Sequence, residues 1–567
     1  MHDLVIRSGT VVDGTGAPPV VADVAVDEGR VTAVGKVDGQ GHREVDADGL
    51  LVTPGWVDIH THYDGQVTWD PDVTPSNWHG VTTVVMGNCG VGFAPVRPGA
   101  QTFLIELMEG VEDIPGTALH EGIDWQWESF PEYLDALDRQ PRALDIAAQV
   151  PHAAVRAYVM GDRAHEDATP ADIEAMAALV GDGLTAGAAG FTTSRTILHS
   201  SKHGLVPGTS AATDELIAIS DALGEVGHGV VEIVSDDPAG ATERAWMVEV
   251  ARRTGATVTY TLAQTPFNPE GYRGALADAD ALAGEGLRIV PQVSCRPTGM
   301  LFGLQSSLHP FITHPAYRAV AGLPLAERVA RLRQPELRAQ LLSEQPGTEN
   351  AIARALMSRW EQIFPLGDPP DYEPSGDRSV AAVAAREGRT PDDVVLDWLL
   401  ERDGKALLFA PLASYVHQDH EAIREMMTHP RTVLGLSDGG AHCGLICDAS
   451  MPTFLLTHWV RDRSRGERLP LEQAVHLQTG RTAAVYGMHD RGVIAPGKRA
   501  DINVIDLDGL RLHAPEMVFD LPAGGRRLVQ HVDGYKTTFV AGVATMEDGS
   551  PTGERPGRLV RFGRRPS

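Results

Sequence analysis

Eight short strand-like runs, separated in several places by helical stretches, constrain this chain of 567 residues more than any other feature. The runs are Val57 to His60, Thr82 to Met86, Asp145 to Val150, Gly190 to Thr193, Val230 to Val234, Thr257 to Leu262, Arg288 to Val293 and Thr432 to Ser437. Helical patterns such as Pro170 to Leu184, Thr213 to Val226 and Ala241 to Thr254 lie between them. Strands and helices in alternation predict an α/β fold with a parallel sheet. Eight such units predict a (β/α)8 TIM-like barrel, with its chemistry at the carboxyl ends of the strands. The interval from Val293 to Thr432 is too long for one crossover. It holds Leu301 to Tyr317, helical Leu325 to Leu342, a helix expected around Asn350 to Phe364, and a Pro-rich loop at Gly367-Asp368-Pro369-Pro370. The expectation is an inserted helical segment, about residues 300–378, over the barrel mouth. Short β runs at Leu4 to Val12, Val21 to Val26, Arg30 to Val34 and Tyr535 to Val540 add β structure at both chain ends.

The first barrel strand ends in His60-Thr61-His62. Residues two apart share a strand face, so both imidazoles can reach one ion. The second run delivers Cys89, between Asn88 and Gly90, to the same end of the sheet. Two imidazoles and a thiolate are zinc-type ligands. Before the eighth candidate strand closes, Leu434-Gly435-Leu436-Ser437 leads into Asp438-Gly439-Gly440-Ala441-His442. Glycines after an acid let the backbone turn tightly beside a metal and a substrate.

The segments Pro54-Gly55-Trp56-Val57-Asp58-Ile59-His60-Thr61-His62 and Gly80-Val81-Thr82-Thr83-Val84-Val85-Met86-Gly87-Asn88-Cys89-Gly90 resemble those of the D-aminoacylase (N-acyl-D-amino-acid deacylase) family, within the amidohydrolase superfamily. Gly492-Val493-Ile494-Ala495-Pro496-Gly497-Lys498-Arg499-Ala500-Asp501 resembles the segment by which such chains return to a β-sandwich built from both ends. The resemblance implies a sandwich from residues 1–52 and 488–567 flanking a metal-dependent hydrolase barrel at 53–487. It implies that Asp438 binds metal and acts as general base on the attacking water, and that the substrate is an N-acyl-amino acid. Alignment places Val234 and Leu262 where that family carries metal-binding histidines on the fifth and sixth strands. No lysine occurs in strands four to six for a carbamylated bridge, and Lys202 lies in a loop. One zinc ion held by His60, His62, Cys89 and Asp438 is therefore expected.

Four further residues are candidates for the substrate or the metal. Glu232 shares the inward face of its strand, as a fifth ligand, a second base or a buried hydrogen-bonded acid. His442 would stabilise an oxyanion, hold a substrate carboxylate, or simply sit in a solvated loop. His152 and Arg195 follow the third and fourth strands; Arg195 would clamp a carboxylate or serve a structural ion pair. Other amidohydrolase reactions (cyclic-amide opening, deamination, decarboxylation) and a metal-poor binding protein remain open from the sequence.

The 76 acidic and 48 basic side chains leave a formal charge of −28, which argues against nucleic acid and anionic membranes as partners. A small-molecule amide is the expected partner, with homo-oligomerisation open. Cys89, Cys295, Cys443 and Cys447 are too few and scattered for a disulfide framework. No apolar run approaches the ~20 residues that span a bilayer, and the amino terminus lacks signal-peptide character. A cytoplasmic protein is expected.

Overall fold

The computed structural model describes residues 1–347 and 351–563, and its fold is mixed α/β. Eight parallel strands follow one another in chain order: β1 (Trp56–Asp58), β2 (Val81–Met86), β3 (Asp145–Ala148), β4 (Gly190–Arg195), β5 (Val230–Ser235), β6 (Thr257–Thr261), β7 (Ile289–Val293) and β8 (Val433–Leu434). β1, β2 and β3 form one sheet. Beyond Gln149 the chain of β3 resumes as Val150–Pro151 and pairs with β4, opening a second sheet that runs through β5, β6 and β7 to β8. The outer ends of the two sheets meet just past β1 and β8. There Asp438 N–H donates to His60 O at 3.1 Å and His62 N–H to Gly439 O at 2.8 Å.

Sequence periodicity explains these elements. β2 reads Val-Thr-Thr-Val-Val-Met and is buried along its whole length, as a strand covered on both faces should be. Its alternate residues serve different cores: Val84 and Met86 belong to the main apolar cluster, whereas Val85 packs with Val57, Ile59, Ala147 and Tyr486. Helix starts carry their own signals, such as Thr169 capping Pro170–Ala186 in a reciprocal capping box with Asp172.

Six of the expected strands shift by one or two residues at an end, the first stopping at Asp58 short of His60, and the other two differ more. The third run is interrupted at Gln149, whose side-chain amide donates to Asn88 Oδ1 at 2.9 Å. The eighth is laddered only over Val433–Leu434, because Leu436 and Asp438 turn into the left-handed region at φ 63° and 48°.

The interval between β7 and β8 builds a body with its own apolar cluster, including Phe302, Phe311, Leu332, Ile363, Val395 and Leu399. Its three strands, Gly299–Phe302, Phe364–Pro365 and Leu408–Pro411, pair antiparallel. The cluster continues past residue 378, through Val380–Glu387 and Pro391–Leu400. Of the helix expected around Asn350 to Phe364, Asn350 lies outside the described residues, and Ala351–Met357 is helical.

The chain ends share one nine-stranded sheet. In it Leu51–Pro54 pairs antiparallel with Ile502–Ile505, and also lies beside His2–Val11. Two residues after this pairing the chain enters β1, so the sheet anchors the strand that leads to His60. Trp56 Nε1 reaches across to Tyr535 Oη at 2.9 Å. Of the basic segment from Arg555, residues to Gly563 are described, and Arg561 pairs with Asp135 at 2.6 Å. Among the described residues no helix is long and apolar enough to cross a membrane.

Candidate metal centre

His60, His62 and Cys89 converge at the carboxyl ends of β1 and β2, with ligand atoms all within 4.8 Å of one another. Asp438 Oδ1 lies 3.4 Å from His60 Nε2 and 3.7 Å from His62 Nε2. Cys89 Sγ is 3.4 Å from His60 Nε2. The four metal candidates named by the sequence are thus brought together in the fold.

Local backbone geometry explains how. After β2 the chain passes Gly87 and Gly90, both at positive φ, and Cys89 itself sits at φ 56°. A Cβ on Gly90 would lie 2.8 Å from Thr193 Cα and Ser194 N, so only glycine lets the turn lie against β4. Asn88 ties the turn to the chain just past β1 by donating to Thr61 O at 3.1 Å, and back to β2 by donating to Val85 O at 3.0 Å. On the other side, Leu436, Asp438 and His442 all have positive φ. Non-glycine residues held there cost about 1–3 kcal/mol each, and such strain gathers at functional sites.

The surrounding groups suit a cation. His60 Nδ1 is 3.0 Å from Gln292 Oε1 on β7, an arrangement in which the ring donates from Nδ1 and presents the Nε2 lone pair to Asp438 and Cys89. Four buried polar atoms here have no hydrogen-bond partner: His62 Nδ1, Glu112 Oε1, Glu232 Oε1 and Gln292 Nε2. Burial, followed by nearby Asp438, pushes the Glu112 carboxyl well above its usual range. Burial also raises the Glu232 carboxyl and drives the Cys89 thiol well above its usual value. The Asp438 carboxyl behaves oppositely: burial pushes it up, but the His62 hydrogen bond and the His60, His62 and His442 imidazoles outweigh this and hold it well below the carboxylate range. Burial depresses His62 to about 4, which leaves its imidazole neutral and able to act as a ligand. An N, N, S, O donor set facing several buried acids fits a divalent cation of zinc type.

The remaining candidates divide. Glu232 Oε2 accepts the Cys89 backbone N–H at 2.9 Å, and Oε1 stands 3.9 Å from His60 Nδ1. His442 Nε2 is 3.5 Å from Glu112 Oε2. Both therefore border the cluster. His152 is fully buried and committed elsewhere, with Nδ1 at 2.9 Å from Thr193 Oγ1 and Nε2 at 3.0 Å from Glu215 Oε1. Arg195 is bound to Glu243 at 2.9 Å and to the carbonyls of Thr209 and Ala211.

Three residues near the cluster carried no sequence signal. Glu112, at the end of helix α1 (Gln101–Glu112), lies 3.4 Å from His62 Nδ1. Gln292 orients His60. His199, in the loop after β4, accepts or donates a 3.1 Å bond with Ser194 Oγ; burial, then the neighbouring His442 and His62, depress its pKa to about 3. None belongs to a motif, and each reaches the site only through tertiary folding.

Known proteins resemble this chain along nearly its whole length. The model of the Amidohydrolase family matches residues 43–545. A D-aminoacylase of Alcaligenes xylosoxydans xylosoxydans is 28% identical over 98% of this chain and 97% of its own length. An N-acyl-D-aspartate deacylase of the same organism is 27% identical, over 99% and 95%. Among solved structures, a D-aminoacylase superposes with a TM-score of 0.66 at 25% identity, covering 99% of this chain and 100% of that one. The N-acyl-D-glutamate deacylase of Bordetella bronchiseptica, complexed with zinc and a phosphonate mimic of the tetrahedral intermediate, gives 0.64 at 25% identity, with 99% of each chain covered. With a matched family model spanning most of its length and a buried His60, His62 and Cys89 cluster at its strand ends beside Asp438, the chain belongs to the amidohydrolase family.

Proposed function

We propose that this chain is a zinc-dependent deacylase of N-acyl-amino acids, cleaving a carbon–nitrogen bond other than a peptide bond. The observation that carries the reading is the placement of Asp438 Oδ1 within 3.7 Å of both His-x-His Nε2 atoms, beside Cys89. Full-length similarity to D-aminoacylase and to N-acyl-D-aspartate and N-acyl-D-glutamate deacylases supports the substrate class. So does a related structure bound to a mimic of the tetrahedral intermediate.

His60, His62, Cys89 and Asp438 would hold one zinc ion. The single ion is supported by Val234 and Leu262 at positions where the resembled family has histidines, and a D-aminoacylase is described by one-metal activation and second-metal attenuation. Zinc bound there would polarise the scissile carbonyl and bring a bound water towards a pKa of ~7.

The protein's own groups do the rest. Asp438, kept ionised by its imidazole neighbours, takes the proton of the attacking water and returns it to the leaving nitrogen. Gln292 holds the His60 ring in its ligating orientation. Ser437 Oγ bonds the Asp58 carboxylate and sits 3.3 Å from His60 O, which ties the ends of β8 and β1 together beneath the reacting groups. His442 faces the site from the Gly-rich turn and is the residue to steady the oxyanion or the substrate carboxylate. The eight strands are read as a (β/α)8 barrel at residues 53–487, supported by the bonds of Asp438 to His60 and of His62 to Gly439 past the β1 and β8 ends; residues 1–52 and the described part of 488–567, which share one sheet, are read as the β-sandwich.

The test is a panel of N-acyl-D- and N-acyl-L-amino acids, hydantoins and dihydropyrimidines, given to zinc-loaded and chelated protein. Zinc-dependent release of free amino acid from an N-acyl substrate is expected. Turnover confined to the cyclic amides would replace the deacylase reading with ring opening, and metal-free protein that zinc does not activate would remove the hydrolase mechanism.

A further inference from the structure

A second group of metal-type donors, sharing no residue with the first, lies where three separated stretches of chain meet. Glu373 comes from the loop before Val380–Glu387, His420 stands at the start of the helix Glu421–Thr428, and His458 lies on the π-helix Leu455–Asp462. Their facing atoms are mutually close: Glu373 Oε2 to His458 Nε2 is 3.1 Å, His420 Nδ1 to His458 Nε2 is 3.2 Å, and His420 Nδ1 to Glu373 Oε2 is 3.7 Å. Zinc bonds of ~2.0–2.1 Å in tetrahedral geometry put ligand atoms about 3.3 Å apart. The three edges bracket that value.

The orientation of each donor favours an ion. His420 Nε2 is 2.9 Å from Tyr372 O, and a carbonyl only accepts, so the ring's proton sits on Nε2 and its Nδ1 lone pair faces the trio. This is the outer-partner arrangement typical of ligating histidines. Burial depresses His420 to about 3, keeping the imidazole neutral. Glu373 is the anionic member. Burial raises its carboxyl, but His458, His420 and Arg463 outweigh this and hold it well below the usual range. Arg463 grips the carboxylate with NH2 to Oε1 at 3.1 Å and Nε to Oε2 at 3.2 Å, while Glu421 takes the same guanidinium at 2.8 Å. The His420 backbone N–H adds a 2.9 Å bond to Glu373 Oε1. Phe454 stacks on the His458 ring at 4.6 Å and Tyr415 meets the His420 ring edge-on at 5.5 Å, so both imidazoles are clamped by apolar walls. His458 sits on a π-helix, a rare element that recurs at functional sites.

We propose that Glu373, His420 and His458 bind a second divalent cation of zinc class, with solvent as fourth ligand at the partly open His458 edge, fastening the π-helix to the inserted body. The competing arrangement is a proton on His458 Nε2 shared between Glu373 and His420, with no ion.

The experiment measures zinc per chain by plasma mass spectrometry on intact protein purified without chelator and equilibrated with zinc chloride. Wild type, His458→Gln and His60→Ala/His62→Ala are compared. The expected result is that each variant loses about one equivalent and that adding His458→Gln to the double variant removes the rest. Unchanged zinc in a folded His458→Gln protein overturns the proposal, and so does a folded double variant that binds no zinc. Should His458→Gln fail to fold, cobalt titration of the double variant decides instead. Visible tetrahedral absorption saturating at one ion per chain supports the site, and its absence assigns the cluster to the shared proton.

Discussion

At the residue scale Asp438 is the most exacting position. Asp438→Asn keeps size and shape but loses the basic oxygen, so turnover should fall ~100- to ~10,000-fold, with substrate affinity less affected. Turnover and bound zinc measured on one preparation separate base from ligand: a pure ligand role predicts lost zinc and rescue by excess metal. Near-wild-type turnover with unchanged zinc would take Asp438 out of the mechanism. The four cluster residues were legible in the sequence because each sits in a short motif at a strand end. Glu112, Gln292 and His199 were not, since their meaning lies in contacts with His62, His60 and Ser194 that no spacing encodes. Arg195 shows the converse. Its planar guanidinium, on the last residue of β4, left a carboxylate clamp and a structural ion pair both open, and Glu243 on the neighbouring helix Ala241–Thr254 makes it the ion pair.

At the scale of elements, the turn after β2 is the part with least tolerance. Gly90→Ala would place a methyl 2.8 Å from β4 backbone atoms in a left-handed conformation. Strain and overpacking of this kind cost about 1–3 kcal/mol each, and the cheapest relief moves Cys89 out of the cluster. The variant should show a lower denaturation midpoint and weaker zinc retention; unchanged values for both would mean that the turn yields without disturbing the ligands. Strand periodicity placed all eight parallel strands, because buried β-branched runs announce themselves. It overran β8, where Gly435 passes Gln292 so closely that a Cβ would stand only 2.6 Å from Gln292 Oε1, and the chain then turns at Leu436. It also read the third strand as unbroken, since the role of Gln149 in holding Asn88 is a tertiary one.

At the scale of the molecule, access to the centre stands out. The cavity bounded by Asp438, Gly439, Cys443, Asp448, Arg527 and Leu528 measures about 20 Å³, room for a water and far below the several hundred Å³ of an ordinary small-molecule site. The inserted body is bonded to the segment that carries several of these residues, with Leu301 N–H donating to Leu445 O at 2.7 Å and Ser307 N–H to Gly444 O at 2.8 Å, between Cys443 and Ile446 of the lining. Segments 301–307 and 440–449 should therefore open together to admit substrate. Hydrogen exchange should be faster there than in β2, and slower on binding a phosphonate inhibitor. Identical exchange with and without inhibitor would place the entrance elsewhere. The long interval before β8 was visible as a break in the repeat, but its separate core was not, because a second apolar cluster looks in sequence like more of the first.

The shared sheet of the two chain ends also sets a timetable. Leu51–Pro54 is made about 450 residues ahead of its partner Ile502–Ile505, a wait of roughly 20–90 s at ~5–20 residues per second. Until then the strand that leads to His60 lacks one edge, and Trp56 lacks Tyr535. The strand that leads to His60 is therefore secured long after it is made.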